Sequence, residues 1–220
     1  MTRYQFFQKV FRIVFKLVAK VEVAGMENLP ESGPYILAVN HLTLLDAPLV
    51  FSLVPRKTNV FAAAKWEHVF FVGWLIRQVD GIFVRRGEVD RRALSIALKI
   101  LKSGGALGVA PEGTRSRTGG LIRGKPGIVY MASQTNAPII PIGVSGQLNF
   151  HKKLLRLQRL HLRVNIGRPM HLPPVSGANK TQQLQEQVDQ VMVALAKLID
   201  PELRGIYADA VEADTLQSLS

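Results

Sequence analysis

The sequence predicts an α/β fold: a single domain with a mixed, largely buried sheet flanked by helices, preceded by an N-terminal amphipathic helix. Three observations carry that reading. Short apolar runs alternate along the chain with longer runs of helical period, the order that builds a sheet with helices on its faces. The apolar runs lack polar alternation, as strands covered on both sides do. The first twenty residues place bases along one stripe of a helix and large apolar side chains around the rest. At 220 residues and 47% hydrophobic, the chain is long enough for one substantial core and too apolar to be disordered.

The elements follow in order. After Met1 the chain reads TRYQFFQKVFRIVFKLVAK. A membrane-spanning helix needs about 20 mainly apolar residues, and Lys9, Arg12 and Lys16 interrupt this one. The same charges, with no small-residue cleavage site after them, argue against a signal peptide. At 3.6 residues per turn Gln5, Lys9, Arg12, Lys16 and Lys20 stack on one stripe, opposite a broad face that includes Phe6, Phe7, Val10, Phe11, Phe15 and Leu17. That pattern suits a helix lying in a membrane interface; the alternative is a helix packed on the core. Residues 1–20 are therefore read as an interface helix, 21–200 as the α/β domain and 201–220 as an acidic, flexible tail. Strands are expected at 35–39, 60–63, 81–84, 106–109, 139–144 and 160–166. Helices are expected at 47–53, 66–78, 90–103, 127–134 and 181–199, with 173–180 as a linker. There is no internal repeat, and 18 Gly and 12 Pro show no low-complexity bias.

Charge and hydropathy narrow the partner. Lys and Arg number 28 against 16 Asp and Glu, a net +12, while the mean hydropathy is +0.13. A chain both basic and apolar suits an anionic membrane surface better than a polar nucleic-acid module. Five of the acids lie beyond Leu198, so the body of the chain is more basic than its total. The run 151–168 holds Lys152, Lys153, Arg156, Arg159, Arg163 and Arg168 with no acid and no aromatic. Nucleic-acid modules interleave stacking aromatics with their bases, so no nucleic-acid partner is expected. A non-catalytic basic RNA- or membrane-binding protein is the reading from another class. Cys is absent, which excludes disulfides, thiolate zinc sites and a cysteine nucleophile and is compatible with a reducing compartment.

Four segments carry chemistry. Asn40-His41-Leu42-Thr43-Leu44-Leu45-Asp46 follows the strand at 35–39, and groups at strand carboxyl ends are where open α/β sheets act. Across a tight loop the Asp46 carboxylate reaches His41 Nδ1, fixing the tautomer and leaving Nε2 as a base. Alternatively Asp46 is an N-cap ahead of Ala47-Pro48 and His41 an ordinary loop residue. Pro111-Glu112-Gly113-Thr114-Arg115-Ser116 follows the strand at 106–109 and offers backbone N–H groups, a hydroxyl and a guanidinium suited to a phosphate; the alternative is a solvated turn with a surface ion pair. Gly81-Ile82-Phe83-Val84-Arg85-Arg86 ends a strand in two arginines, and strand alternation sends only one into a site. Ala137-Pro138-Ile139-Ile140-Pro141-Ile142-Gly143-Val144 is a buried strand that at most lines an acyl slot. The other histidines, His68, His151, His161 and His171, are scattered, so no metal site is expected.

In this order and spacing the four segments resemble the glycerolipid acyltransferase family, in particular the 1-acylglycerol-3-phosphate acyltransferases. The Asn-His-x4-Asp motif matches at Asn40, His41 and Asp46. The apolar strand ending in Arg matches at Ile82-Phe83-Val84-Arg85-Arg86, with Arg86 in the motif position. That motif often opens on a Gly one residue before Gly81, where this chain has Asp80. Glu-Gly-Thr-Arg is intact at Glu112, Gly113, Thr114 and Arg115. The Pro-centred strand matches at Ile140-Pro141-Ile142, and Lys65 of Ala63-Ala64-Lys65-Trp66-Glu67 matches a base seen after the second strand. The likeness covers about residues 21–170.

The resemblance implies transfer of a fatty acyl group from an acyl thioester to the 2-hydroxyl of lysophosphatidate, forming phosphatidate in phospholipid synthesis. His41 would be the general base and Asp46 its orienting partner. Arg115, Arg86 and Lys65 would hold the acceptor phosphate, Glu112 would lie near the glycerol, and Gly113 and Thr114 would complete the binding turn. The co-substrate would be acyl-CoA or acyl carrier protein, with no cofactor and no metal. Without cysteine, transfer would be direct in a ternary complex. A different lysolipid acceptor is the alternative within the class. The protein is expected to sit peripherally on the cytoplasmic face of an anionic membrane.

Overall fold

A computed structural model describes residues 1–85, 87 and 89–217 of the chain. Seven strands form one sheet: β1 (Ala19–Ala24), β2 (Tyr35–Val39), β3 (Thr58–Ala63), β4 (Ile82–Val84), β5 (Ala106–Val109), β6 (Ile139–Ser145) and β7 (Leu160–Ile166). Their order is β1-β7-β6-β2-β5-β3-β4. Only the β6–β7 pair is antiparallel, so β1 and β7 run against the other five. Helices α1 (Arg3–Val18), α2 (Asp46–Leu53), α3 (Phe70–Gln78), α4 (Arg91–Lys102), α5 (Gly127–Thr135), α6 (Phe150–Leu155), α7 (Lys180–Ala196) and α8 (Ala208–Gln217) surround it. The mixed, helix-covered sheet is the one the sequence predicts.

The continuous apolar run of β2 follows from its central place. Ile36 and Ala38 enter the core beneath α4, α5 and α7, while Tyr35 and Leu37 enter the opposite core beneath α1 and α2. Both faces are buried, so no position along the strand favours a polar side chain.

Helix α1 packs on the core with one part of its broad apolar face and leaves the other part exposed. Thr2 and Gln5 form a capping box at its start. Tyr4, Phe11 and Phe15 face inward; Tyr4 meets Phe51 edge to face at 4.8 Å. Gln8 donates to the carbonyls of Phe51 and Val54, and Arg12 to that of Ser52, satisfying groups that the end of α2 leaves open. The broad apolar face is therefore divided. One half is core, and Phe6, Val10, Ile13 and Leu17 form an exposed apolar stripe beside Lys9 and Lys16. Lys20 leaves the cationic stripe assigned to it, because the helix ends at Val18 and Lys20 sits in β1 against Glu22 at 2.8 Å. Among the described residues no helix is long and apolar enough to cross a membrane.

The sequence reading has no strand at β1. Ala-Lys-Val-Glu-Val-Ala alternates with two β-branched residues, but the run is short and continues the bases of α1. The C-terminal expectation is corrected. Residues 201–217 are folded rather than a flexible tail, with Leu203, Tyr207 and Val211 buried against α7 and the loop 120–125. Acid-rich composition hid this four-residue apolar spacing. Gly205 approaches Leu121 so closely, at φ +53°, that a Cβ there would lie 2.1 Å from the Leu121 carbonyl oxygen. Tyr207 Oη accepts from Gly124 N at 3.0 Å and donates to Asp189 at 3.1 Å; burial pushes its pKa up to about 12. Tyr207→Phe leaves the buried Gly124 N–H without its acceptor, an expected loss of about 1–3 kcal/mol and a melting temperature lower by several degrees. An unchanged thermal melt would contradict that role.

Candidate active site

The sheet presents β2, β5 and β6 side by side, so the loops after them meet at one edge. Asn40 closes the β2 end: its Nδ2 donates to Val144 O at 2.9 Å and its Oδ1 accepts from Val144 N at 2.8 Å. The next residue, His41, begins the loop into α2. Asp46 is the first residue of that helix, and its carboxylate turns back over the loop. Oδ2 accepts from the N–H groups of Leu42 and Thr43, each at 2.7 Å, and lies 3.3 Å from His41 Nδ1; Oδ1 accepts from the Thr43 hydroxyl at 2.9 Å. The N-cap reading of Asp46 does not hold, since the cap position is Leu45 and Asp46 bonds the preceding loop. With Nδ1 held toward the carboxylate, Nε2 is left as the proton-accepting atom.

Glu112 joins this loop to the one after β5. It is fully buried, its Oε1 accepting from His41 N at 3.0 Å and its Oε2 from Ile122 N at 3.1 Å. Burial raises its pKa, and the two N–H donors act against that rise. Ser116 N adds a second strap, donating to His41 O at 2.8 Å. The expectation that Glu112 faces the acceptor glycerol is thus corrected: both oxygens are engaged by backbone, and it ties two loops together.

His41 and Asp46 line a cavity of about 930 Å³. Its walls are mainly apolar, with Val50, Val60, Leu94 and Met131 among them, and Gly113, Arg85, Arg91 and Lys125 supply polar lining. A base on the wall of an apolar cavity suits attack on a carbonyl carried by a long hydrocarbon.

Comparison with known proteins agrees with this arrangement. The pattern of the family described as Acyltransferase matches residues 20–145. The chain belongs to the acyltransferase family. Its relatives include the 1-acyl-sn-glycerol-3-phosphate acyltransferase alpha of Homo sapiens, 27% identical over 194 residues, or 84% of this chain and 67% of that one. The 1-acyl-sn-glycerol-3-phosphate acyltransferase of Bacillus subtilis is 25% identical over 169 residues, 76% of this chain and 82% of that one. With the Borreliella burgdorferi protein of the same name the identity is 31% over 137 residues, and this chain spans 54% of that relative's length. Among solved structures, the 1-acyl-sn-glycerophosphate (LPA) acyltransferase of Thermotoga maritima superposes with a TM-score of 0.67 at 25% identity, over 89% of this chain and 78% of that one.

In this acyltransferase the structure brings His41, Asp46 and Gly113 onto the cavity wall. Thr114 and Arg115 are exposed on the turn beyond Gly113 and do not line the cavity, nor does Lys65, whose ammonium lies over the Trp66 ring at 5.2 Å. Arg86 lies outside the described residues. Arg85, expected to point away, is on the wall. β4 ends at Val84, so strand alternation no longer fixes the side that Arg85 takes. Its N–H donates to Asp90, which also caps α4. Among the described residues no three His, Asp or Glu side chains gather as metal ligands.

Lys125 was missed by the sequence reading. Gly113 adopts φ +68°, and a Cβ there would meet Lys125 Cδ at 2.8 Å, so the glycine leaves room for the lysine to lie across the turn. Lys125 N donates to Pro111 O at 2.8 Å. The available signal was a base within Gly124-Lys125-Pro126-Gly127, a turn directly before a helix.

Proposed function

We propose that the chain moves a fatty acyl group from acyl-CoA or acyl carrier protein to the 2-hydroxyl of lysophosphatidate, yielding phosphatidate. The observation that carries this reading is the His41–Asp46 pair on the wall of the apolar cavity. His41 Nε2 takes the proton of the acceptor hydroxyl as its oxygen attacks the thioester carbonyl carbon. Asp46, fixed by the N–H groups of Leu42 and Thr43, stabilises the resulting imidazolium. Backbone N–H groups serve the tetrahedral oxyanion. Collapse breaks the carbon–sulfur bond, and the imidazolium proton passes to the departing thiolate. The acceptor phosphate is held by bases at this edge: Lys125, Arg85 and Arg91 on the wall, with Lys65 and Arg115 in the segments around it; Arg86 is assigned the same role on its motif position alone. No cofactor beyond the co-substrate enters this scheme. The outer apolar stripe of α1, beside Lys9 and Lys16, holds the enzyme peripherally on the cytoplasmic face of an anionic membrane.

The test is a comparison of acceptors under one acyl donor. Lysophosphatidate is expected to be acylated in strong preference to lysophosphatidylcholine and monoacylglycerol, because only it presents a phosphate monoester. Equal rates with monoacylglycerol would reject phosphate capture. Lys125→Met is expected to raise KM for lysophosphatidate about tenfold or more, the value of a charge-assisted hydrogen bond, with a smaller change in kcat. An unchanged KM would remove Lys125 from the acceptor site.

A further inference from the structure

The edge of the sheet that carries His41 also gathers exposed apolar side chains from three separate segments. β2, β3 and β6 run in the same direction, so their carboxyl ends share that edge. His41 follows β2 there, α3 starts shortly after β3, and α6 starts shortly after β6. The junction of α1 and β1 lies at the same edge, because β1 runs with β7 and β7 runs against β6.

At the start of α3, Phe70 is 93% exposed and Phe71 65%. Trp74, one turn on, stacks against Phe71 at 6.0 Å and meets Phe7 of α1 at 5.5 Å; Phe7 in turn meets Phe6 at 5.3 Å. The aromatic run is thus continuous from α3 onto the outer stripe of α1. On the other flank the last residue of α6, Leu155, is 84% exposed and Leu157 of the turn after it 95%, with Leu157 in the left-handed region at φ +55°. Arg159 anchors that turn to the end of α1, donating to Lys16 O at 2.9 Å and Ala19 O at 3.0 Å. Leu17 of α1 lies exposed at that end.

Isolated exposed apolar residues need no explanation. A group of them with large aromatics along one edge does, and Lys16, Lys152, Lys153 and Arg156 stand in the same segments. Aromatics and leucines beside a set of bases complement the acyl boundary and the anionic headgroups of a bilayer. We propose that the start of α3 (Phe70, Phe71, Trp74) and the end of α6 with the turn after it (Leu155, Leu157) are two further bilayer contacts flanking α1, which hold the His41 edge of the sheet against the lipid surface. The proposal rests on the peripheral membrane location given above and extends it beyond α1.

The experiment uses the full chain and vesicles of phosphatidylglycerol and phosphatidylethanolamine, without acyl donor. Phe70→Ser/Phe71→Ser and, separately, Leu155→Ser/Leu157→Ser are expected to lower the vesicle partition coefficient about tenfold or more each. Leu216→Ser, an exposed leucine of α8, is expected to leave it unchanged. Chain-brominated lipid is expected to quench tryptophan emission in the parent and far less in Trp74→Phe. All variants should melt as the parent does and keep their activity on detergent-dispersed acceptor. Partition within twofold of the parent for either double variant would overturn the proposal. So would a parent that self-associates without lipid and becomes monomeric in Phe70→Ser/Phe71→Ser while partition is retained. Because binding is read without turnover, a failure to acylate lysophosphatidate would fault the proposed reaction and leave this contact standing.

Discussion

His41→Ala is expected to remove nearly all acyl transfer from a protein that still folds. His41 Nδ1 is held 3.3 Å from Asp46 Oδ2, and the residue lines the cavity. Loss of a general base costs roughly 10²–10⁴-fold in rate. The ties that shape the loop use the backbone of His41, its N–H to Glu112 and its carbonyl to Ser116, and alanine keeps both. The measurement is kcat by thiol release, with a thermal melt alongside. Activity within threefold of the parent would exclude His41 as the base.

Asp46→Asn is expected to cost about 10²-fold or more in kcat with little change in stability. Oδ2 faces three nitrogens, while Oδ1 accepts from the Thr43 hydroxyl. Asparagine fits by placing its amide nitrogen at the Oδ1 position, where the rotatable hydroxyl turns to accept. The loop geometry then survives, and the negative charge that stabilises the imidazolium is gone. A lower melting temperature with unchanged turnover would make Asp46 a purely structural carboxylate.

What the sequence discloses depends on how local each interaction is. β2 and β6 are legible because strands buried on both faces need apolar residues throughout. The His41–Asp46 pair is legible because one short loop contains both partners. Glu112 is misread because its partner is the backbone of His41, brought near only by the pairing of β2 with β5. Lys125 is hidden for the same reason: its place across Gly113 depends on how the loop after β5 folds back. Arg85 escapes a rule that holds only inside a strand. Helix α1 is only half legible, since three faces rather than two divide its surface: a packed face, an exposed apolar stripe and the bases beside it. The C-terminal segment is overlooked because Leu203, Tyr207 and Val211 are few among many acids, and their value lies in the loop they clasp.

The most direct test of the account follows both products of one reaction. The purified chain is incubated with lysophosphatidate and palmitoyl-CoA or palmitoyl carrier protein, and free thiol and phosphatidate are quantified together. Direct transfer through His41 predicts equal molar amounts of the two, dependence of thiol release on the acceptor, and loss of both in His41→Ala. Thiol release that proceeds without lysophosphatidate, or that yields no phosphatidate, would contradict it.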